Sequence, residues 1–155
     1  VGAIHKNPVL ADRFYGFCRA MMEAGIPVTQ NHILVDRDEN GHYALSASQL
    51  SHIPTAFICS RDSSAYQLLK ILKEKNIRVP EDVSITGFDD YILSSLCTPK
   101  ITTYSIDVAK LTDSCIWLLL DRIAQPDRPL RHIVISGKIM ERDSVRTLST
   151  NLEPR

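Results

Sequence analysis

No apolar run in this 155-residue chain approaches the roughly twenty residues needed to cross a bilayer as a helix. No signal-peptide pattern opens it either. The chain begins at Val1 rather than Met, in what reads as a strand entered midway, so earlier elements are expected to precede it and the missing leader says little about the intact protein. Eighteen basic residues balance eighteen acidic ones. No global basic field therefore points to nucleic acid, although a basic module elsewhere in a longer protein would not be seen. The four cysteines, Cys18, Cys59, Cys97 and Cys115, include no CxxC pair, and no His pair has zinc spacing. Cys59 in an apolar strand and Cys115 on an apolar helix stripe read as small buried hydrophobes in a reducing, cytoplasmic setting; a disulfide stays open. Glycine-rich phosphate loops and a GxSxG elbow are absent. His5, His32, His42, His52 and His132 are scattered without an evident Ser or Cys partner. No catalytic residue, metal or cofactor is assigned.

What is present is an alternation of strand-type and helix-type segments. A candidate strand at Val1–Ile4 is followed by a helix from Pro8 to about Ala24, where proline suits the first turn. Its stripe is Phe14, Phe17, Cys18 and Met21, and Gly25 ends it in a left-handed cap before Ile26-Pro27. A strand at Ile33–Val35 and a polar loop over Asp36–Gly41 come next. Asn40-Gly41 would suit a hairpin, but the pattern from Tyr43 to Leu50 favours a helix start. Then come a strand at Ala56–Cys59, a helix with the stripe Ala65, Leu68, Leu69 and Leu72 ending near Asn76, and a strand at Val83–Phe88. A short helix at Tyr91–Leu96, a strand at Ile101–Tyr104 and a long helix capped by Asp107 and stopped by Pro126 follow. Short strands are expected at Ile133–Ile135 and Lys138–Glu141. Trp117, inside the long helix, reads as core or subunit contact. The strands are continuously rather than alternately apolar, as in an α/β fold whose parallel sheet is flanked by helices.

In such sheets ligands sit beyond the carboxyl ends of the strands. Two strands here end in charge, at Arg61-Asp62 and Asp89-Asp90. A carboxylate at such a place can accept hydrogen bonds from vicinal hydroxyls or a ring N–H, or it can cap the following helix. Asp89 is assigned to a ligand and Asp90 to the cap. Asp62 reads first as a cap, with Ser63 as the alternative. Arg61 either points to solvent or holds a ligand oxygen. Arg13, early in the first helix, lies where the crevice should open and is either a site residue or a solvated charge.

The ordered set Arg13–Phe17 (RFYGF), Glu23–Val28 (EAGIPV), Pro54–Asp62, Ile77–Asp90 (IRVPEDVSITGFDD), Thr98–Thr103 (TPKITT) and Ile139–Ser144 (IMERDS) resembles the effector-binding core of lactose-repressor-type (LacI/GalR) transcription regulators. The resemblance covers residues 1–146 and is most specific in VPEDVSITGFDD. It implies a type I periplasmic-binding-protein-like fold, two α/β subdomains around a sugar-sized cleft, and a homodimer with an N-terminal helix-turn-helix that these residues do not include. Residues 1–106 would form most of the C-terminal subdomain, 107–135 an excursion into the N-terminal one, 136–146 the return, and 147–155 a tail. The resemblance makes Arg13 and Asp89 effector ligands and Asp62 the aspartate of an Asn-Asp pair. Arg61 stands where that pair has Asn, a cation that only donates, which hints at an anionic ligand or a pocket filled by Arg61 itself. Ile106 and Thr112 also depart from the pattern. The short helix at Tyr91–Leu96 and the face of Tyr66 and Leu69 match subunit-interface elements, or else belong to the core. The expected function is sugar or sugar-derivative sensing in a bacterial repressor that binds operator DNA through its missing head, without chemistry on the effector and without a membrane. The alternative is the sugar-binding protein of an ABC uptake system. An α/β enzyme would need a nucleophile or cofactor loop.

Overall fold

The computed structural model describes residues 1–2 and 8–147. In chain order they form α1 (Pro8–Glu23), β1 (Ala56–Ile58), α2 (Asp62–Glu74), β2 (Ser84–Asp89), α3 (Ile92–Leu96), β3 (Thr102–Ser105), α4 (Val108–Ala124) and β4 (Lys138–Met140). The four strands make one sheet in the order β1-β2-β3-β4. β1, β2 and β3 are parallel, and β4 closes the edge antiparallel to β3, with Tyr104 opposite Ile139. The parallel sheet expected from the apolar runs is present in β1, β2 and β3, and an antiparallel strand is added at its edge. A short run shows that a segment is a strand but not which way it points.

The core is built where α2 lies on the sheet. Ala65, Leu68, Leu69 and Leu72 recur every three to four residues, so they share one face of the helix. That face is buried against Phe57, Val83, Ile85 and Ile101. Each such aliphatic side chain contributes roughly 1.5–3 kcal/mol on burial. Helix ends follow local chemistry. Gly25 (φ 70°) and Asn76 (φ 58°) take the left-handed conformation after α1 and α2. The Asp107 carboxylate accepts from the Lys110 N–H at 2.9 Å, capping α4.

The return segment locks the sheet from below. Ser144, fully buried, donates its hydroxyl to the Ile85 carbonyl (2.6 Å) and accepts from the Thr102 N–H (2.8 Å). Its own carbonyl receives the Ile85 N–H. One serine thus ties β2 to β3, which gives the IMERDS run a structural role.

Several expectations fail. Ile33–Val35 is extended but carries only one described ladder bond, from the Gly2 N–H to the Leu34 carbonyl. Residues 3–4 of the first expected strand lie outside the described residues. Val1 runs along β1, its nitrogen donating to the Ile58 carbonyl at 2.7 Å. Ile133–Ile135 is irregular and has no neighbouring strand among the described residues. The helix expected from Tyr43 is a hairpin-like turn instead. Tyr43 bridges Arg37 across Asn40-Gly41, Asp38 accepts the His42 N–H, and the Arg37 guanidinium covers the Tyr43 ring at 4.1 Å. Only a 3-10 turn, Ala47–Gln49, remains of it.

The stripe of α1 is half-buried, with Leu10 its one buried residue. α4 buries none of its residues: Ile116, Trp117, Leu119, Leu120 and Ile123 are all exposed. Trp117 is thus not core within this chain, and the Arg131 guanidinium lies 5.0 Å from its ring. Cys115 is exposed, contrary to its reading as buried. Cys59 is buried, and burial pushes its thiol up to about 12. Leu69 belongs to the intrachain core rather than to an outer face.

Candidate functional site

Because β1 and β2 are parallel and adjacent, their carboxyl ends open on the same side of the sheet. Beyond them lies a cleft of about 320 Å³ lined by Arg13, Arg61, Asp62, Ser63, Asp89 and Tyr91. All four site residues expected from the sequence stand around it. A somewhat larger hollow, about 420 Å³, lies at the far end of α1 among Cys18, Met22 and Gly25–Val28. It gathers no charged side chain and, beyond the weakly bonding sulfurs of Cys18 and Met22, no polar one, so the polar cleft is the better candidate.

Arg13 reaches the cleft from α1 and is held on three sides. Nη1 donates to the Ser60 carbonyl just past β1, and Nη2 donates to Asp89 Oδ1 at 3.1 Å at the end of β2. The guanidinium plane lies 3.6 Å from the centroid of Phe88. Behind Phe88, Tyr104 of β3 packs with its ring tilted by 33°, centroids 4.9 Å apart, and accepts the Gly137 N–H on its hydroxyl at 2.8 Å. The site arginine therefore rests on an aromatic pile that reaches β3 and the segment entering β4. Nothing local in the sequence announces that pile.

Asp62 is not the cap expected of it. Arg61 occupies the N-cap of α2 and makes no side-chain cap bond, which puts Asp62 one residue into the helix. Its buried carboxylate crosses the sheet end instead. Oδ1 accepts from the Thr103 hydroxyl and Oδ2 from the Tyr91 N–H, both at 2.6 Å. Asp90 is not a cap either. Tyr91 holds the N-cap position of α3, and the Asp90 carboxylate pairs with Arg142, which also donates to Ser94 and to the Ile101 carbonyl. These bonds hold an unusual turn, for Asp89 (φ 103°) and Asp90 (φ 55°) are both left-handed. Such non-glycine conformations store of order 1–3 kcal/mol each and persist where surrounding contacts over-determine them.

The two structural carboxylates are driven in opposite directions. Burial raises Asp62 above its ordinary value of 3.8, with the bonds from Thr103 and Tyr91 working against it and Asp89 and Asp90 adding to it. For Asp90 burial also works upward, but the Arg142 bond and those of Ser105 and Ser94 outweigh it, so its carboxyl lies lower than usual. Between 3.8 and the raised value the folded chain holds a proton on Asp62 that the unfolded chain has released. Stability from this group is thus lost as pH rises through that window. Asp90 acts below 3.8, where stability is lost as pH falls. Asp62→Asn keeps an acceptor for Tyr91 and a donor for Thr103 without the charge. Urea midpoints of this variant measured from about pH 4 upward are expected to show a weaker decline with pH than wild type. An identical slope would mean that the buried carboxyl does not set it.

A model of the periplasmic binding protein-like domain matches residues 2–145. The chain belongs to that family. Its curated relatives are repressors. It is 33% identical over 141 residues to the HTH-type transcriptional repressor PurR of Vibrio atlanticus, a match covering 89% of this chain and 42% of the relative. It is 32% identical over 138 residues to the probable HTH-type transcriptional repressor ExuR of Bacillus subtilis, covering 87% and 41%. Among solved structures, a LacI family transcriptional regulator from Enterococcus faecium with bound ribose superposes with a TM-score of 0.74 at 27% identity, covering 90% of this chain and 52% of that one. The domain is similar to those of LacI/GalR-type regulators. The chain spans about two fifths of the length of the curated relatives it matches. No described helix is long and apolar enough to cross a membrane.

Proposed function

We propose that this chain is the effector-sensing and dimerisation part of a cytoplasmic bacterial repressor, binding a sugar or sugar derivative without chemical change. The observation that carries the reading is the Arg13–Asp89 pair, set across the carboxyl ends of β1 and β2 at a cleft of small-ligand size. Hydroxyl-rich ligands suit such a pair, since the carboxylate accepts while the guanidinium donates. The ribose-bound relative is consistent with a ligand of that class. Asp62, with both oxygens already engaged, would support the cleft rather than touch the effector.

The other assignments follow the same frame. Residues 1–106 would form most of the C-terminal subdomain, 107–135 would enter the N-terminal one, and 136–146 would return. The uncovered apolar face of α4 supports that division, because a stripe of this kind needs a partner surface. Tyr91, Ile92 and Leu96 on and beside α3 are exposed and suit a homodimer contact. Operator DNA would be read by a helix-turn-helix outside these residues, and the effector would act by favouring one arrangement of the subdomains over another. The test is calorimetric titration of the full-length protein with neutral, acidic and phosphorylated sugars. Saturable 1:1 binding that loosens operator binding, or tightens it, is expected. Conversion of a sugar to product would overturn the binding-only reading, and binding without any change at the operator would overturn the regulatory one.

A further inference from the structure

We propose that the cleft selects a negatively charged effector, a sugar acid or a sugar phosphate, and that Arg61 reads the charge. The inference rests on the effector-sensing reading above and names the class of ligand for the same cleft. Most hydrogen-bonding groups around the cleft are already used. Asp62 is buried and each of its oxygens has a donor. Asp89 gives one oxygen to Arg13. Arg13 is committed to the Ser60 carbonyl, to Asp89 and to the face of Phe88. Its charge is thereby matched within the protein.

Arg61 differs from all of these. It lines the same cleft, half-buried, yet it has neither an ion pair nor a side-chain hydrogen bond among the described residues. A guanidinium carries five N–H donors in a planar fork and accepts nothing. Its best partner is a carboxylate or phosphate, which takes two of those donors at once and cancels the charge. A neutral sugar would supply only single hydroxyl acceptors and would leave the charge unmatched in a partly enclosed place. Asp89, with one oxygen unbonded among the described residues, remains able to accept from hydroxyls. A ligand with hydroxyls at one end and an anion at the other uses both groups, whereas a purely neutral or purely anionic ligand uses one.

The experiment is calorimetry on the full-length protein with matched probes: D-glucose, D-glucuronate, D-glucose 6-phosphate, D-ribose and D-ribose 5-phosphate. At least one anionic probe is expected to bind tenfold or more tightly than its neutral counterpart. Arg61→Asn is expected to weaken that probe tenfold or more and to weaken its neutral counterpart by a clearly smaller factor. Raising NaCl from about 50 to about 500 mM should weaken the anionic probe in wild type far more than in Arg61→Asn, because the attraction is screened. A neutral sugar binding as tightly as its anionic partner, or an Arg61→Asn protein that keeps wild-type affinity for the anion, would overturn the proposal and leave the effector reading standing. Failure of all five probes to bind would overturn both.

Discussion

Gly87→Ala is expected to destabilise the chain by about 4 kcal/mol, although glycine to alanine inside a strand is ordinarily a gain of packing surface. Gly87 is buried in β2, and a Cβ built there would lie 2.0 Å from Asp62 Oδ1, 3.2 Å from its Cγ and 3.3 Å from its Cα. Asp62 cannot swing aside cheaply. Its oxygens hold the Thr103 hydroxyl and the Tyr91 N–H, and releasing a buried carboxylate from both costs about 1–3 kcal/mol for each unsatisfied group. The wedge is therefore a clash with a side chain that has no alternative place. A double-mutant cycle isolates it. Asp62→Ala alone is expected to cost about 2–3 kcal/mol, and Gly87→Ala in that background only about 1 kcal/mol, since the colliding oxygen is gone and only the tight approach to the backbone of residue 62 remains. Urea denaturation of the four proteins gives the coupling directly. Equal costs of Gly87→Ala in both backgrounds would rule out Asp62 as the obstacle.

This close approach shows where sequence reasoning ends. Helix boundaries depend on neighbours in the chain, and Pro8, Gly25, Asn76 and Asp107 punctuate the structure where local chemistry places them. The same local logic makes Asp62 and Asp90 caps, because each precedes a helix. Both instead serve partners far along the chain: Thr103 lies 41 residues from Asp62, and Arg142 lies 52 from Asp90. A cap bond at a helix start is worth about 1 kcal/mol. A charge-assisted bond with a guanidinium is worth more, and it recruits the carboxylate once the sheet brings the two together. Thr103 stands inside the conspicuous TPKITT run, but nothing local assigns it to Asp62.

Apolar pattern has a similar limit. It shows that a surface needs covering and leaves open what covers it. The α2 stripe finds the sheet within this chain, while the equally regular face of α4 finds nothing among the described residues. Ile133–Ile135 is as apolar as β1 but has no strand beside it among the described residues. A strand is a property of a pair, so its own sequence cannot settle it. The candidate site was more legible than the edges of the sheet because strand-end position is a consequence of topology, and topology follows from the order of elements. Its support was not legible. Phe88 and Tyr104 read as ordinary apolar strand residues, and only the structure sets them beneath Arg13.

That support makes Arg13→Lys the sharpest test of the cleft itself. Lysine keeps the charge and most of the length of the side chain, so a site that needed only a nearby cation would tolerate it. Arg13 does three things at once with one rigid plane: it bonds the Ser60 carbonyl, bonds Asp89, and sets its guanidinium carbon 3.6 Å over the Phe88 ring. An ammonium is a point donor and cannot bond at both edges while stacking. Asp89 would then lose the contact that holds its carboxylate in a left-handed turn (φ 103°) and would relax away from the position in which it meets ligand hydroxyls. Loss of a charge-assisted bond of about 1.5–3 kcal/mol corresponds to a fall in effector affinity of roughly 10- to 100-fold. Stability should change little, because the Arg13–Asp89 pair is partly open to solvent and such pairs contribute about 0–1 kcal/mol. Calorimetry and a urea melt on the same protein separate the two. An Arg13→Lys protein that melts like wild type and binds its effector with undiminished affinity would show that the guanidinium fork takes no part in holding the ligand. A protein that melts like wild type and binds roughly 10- to 100-fold more weakly would place the guanidinium fork in the recognition step.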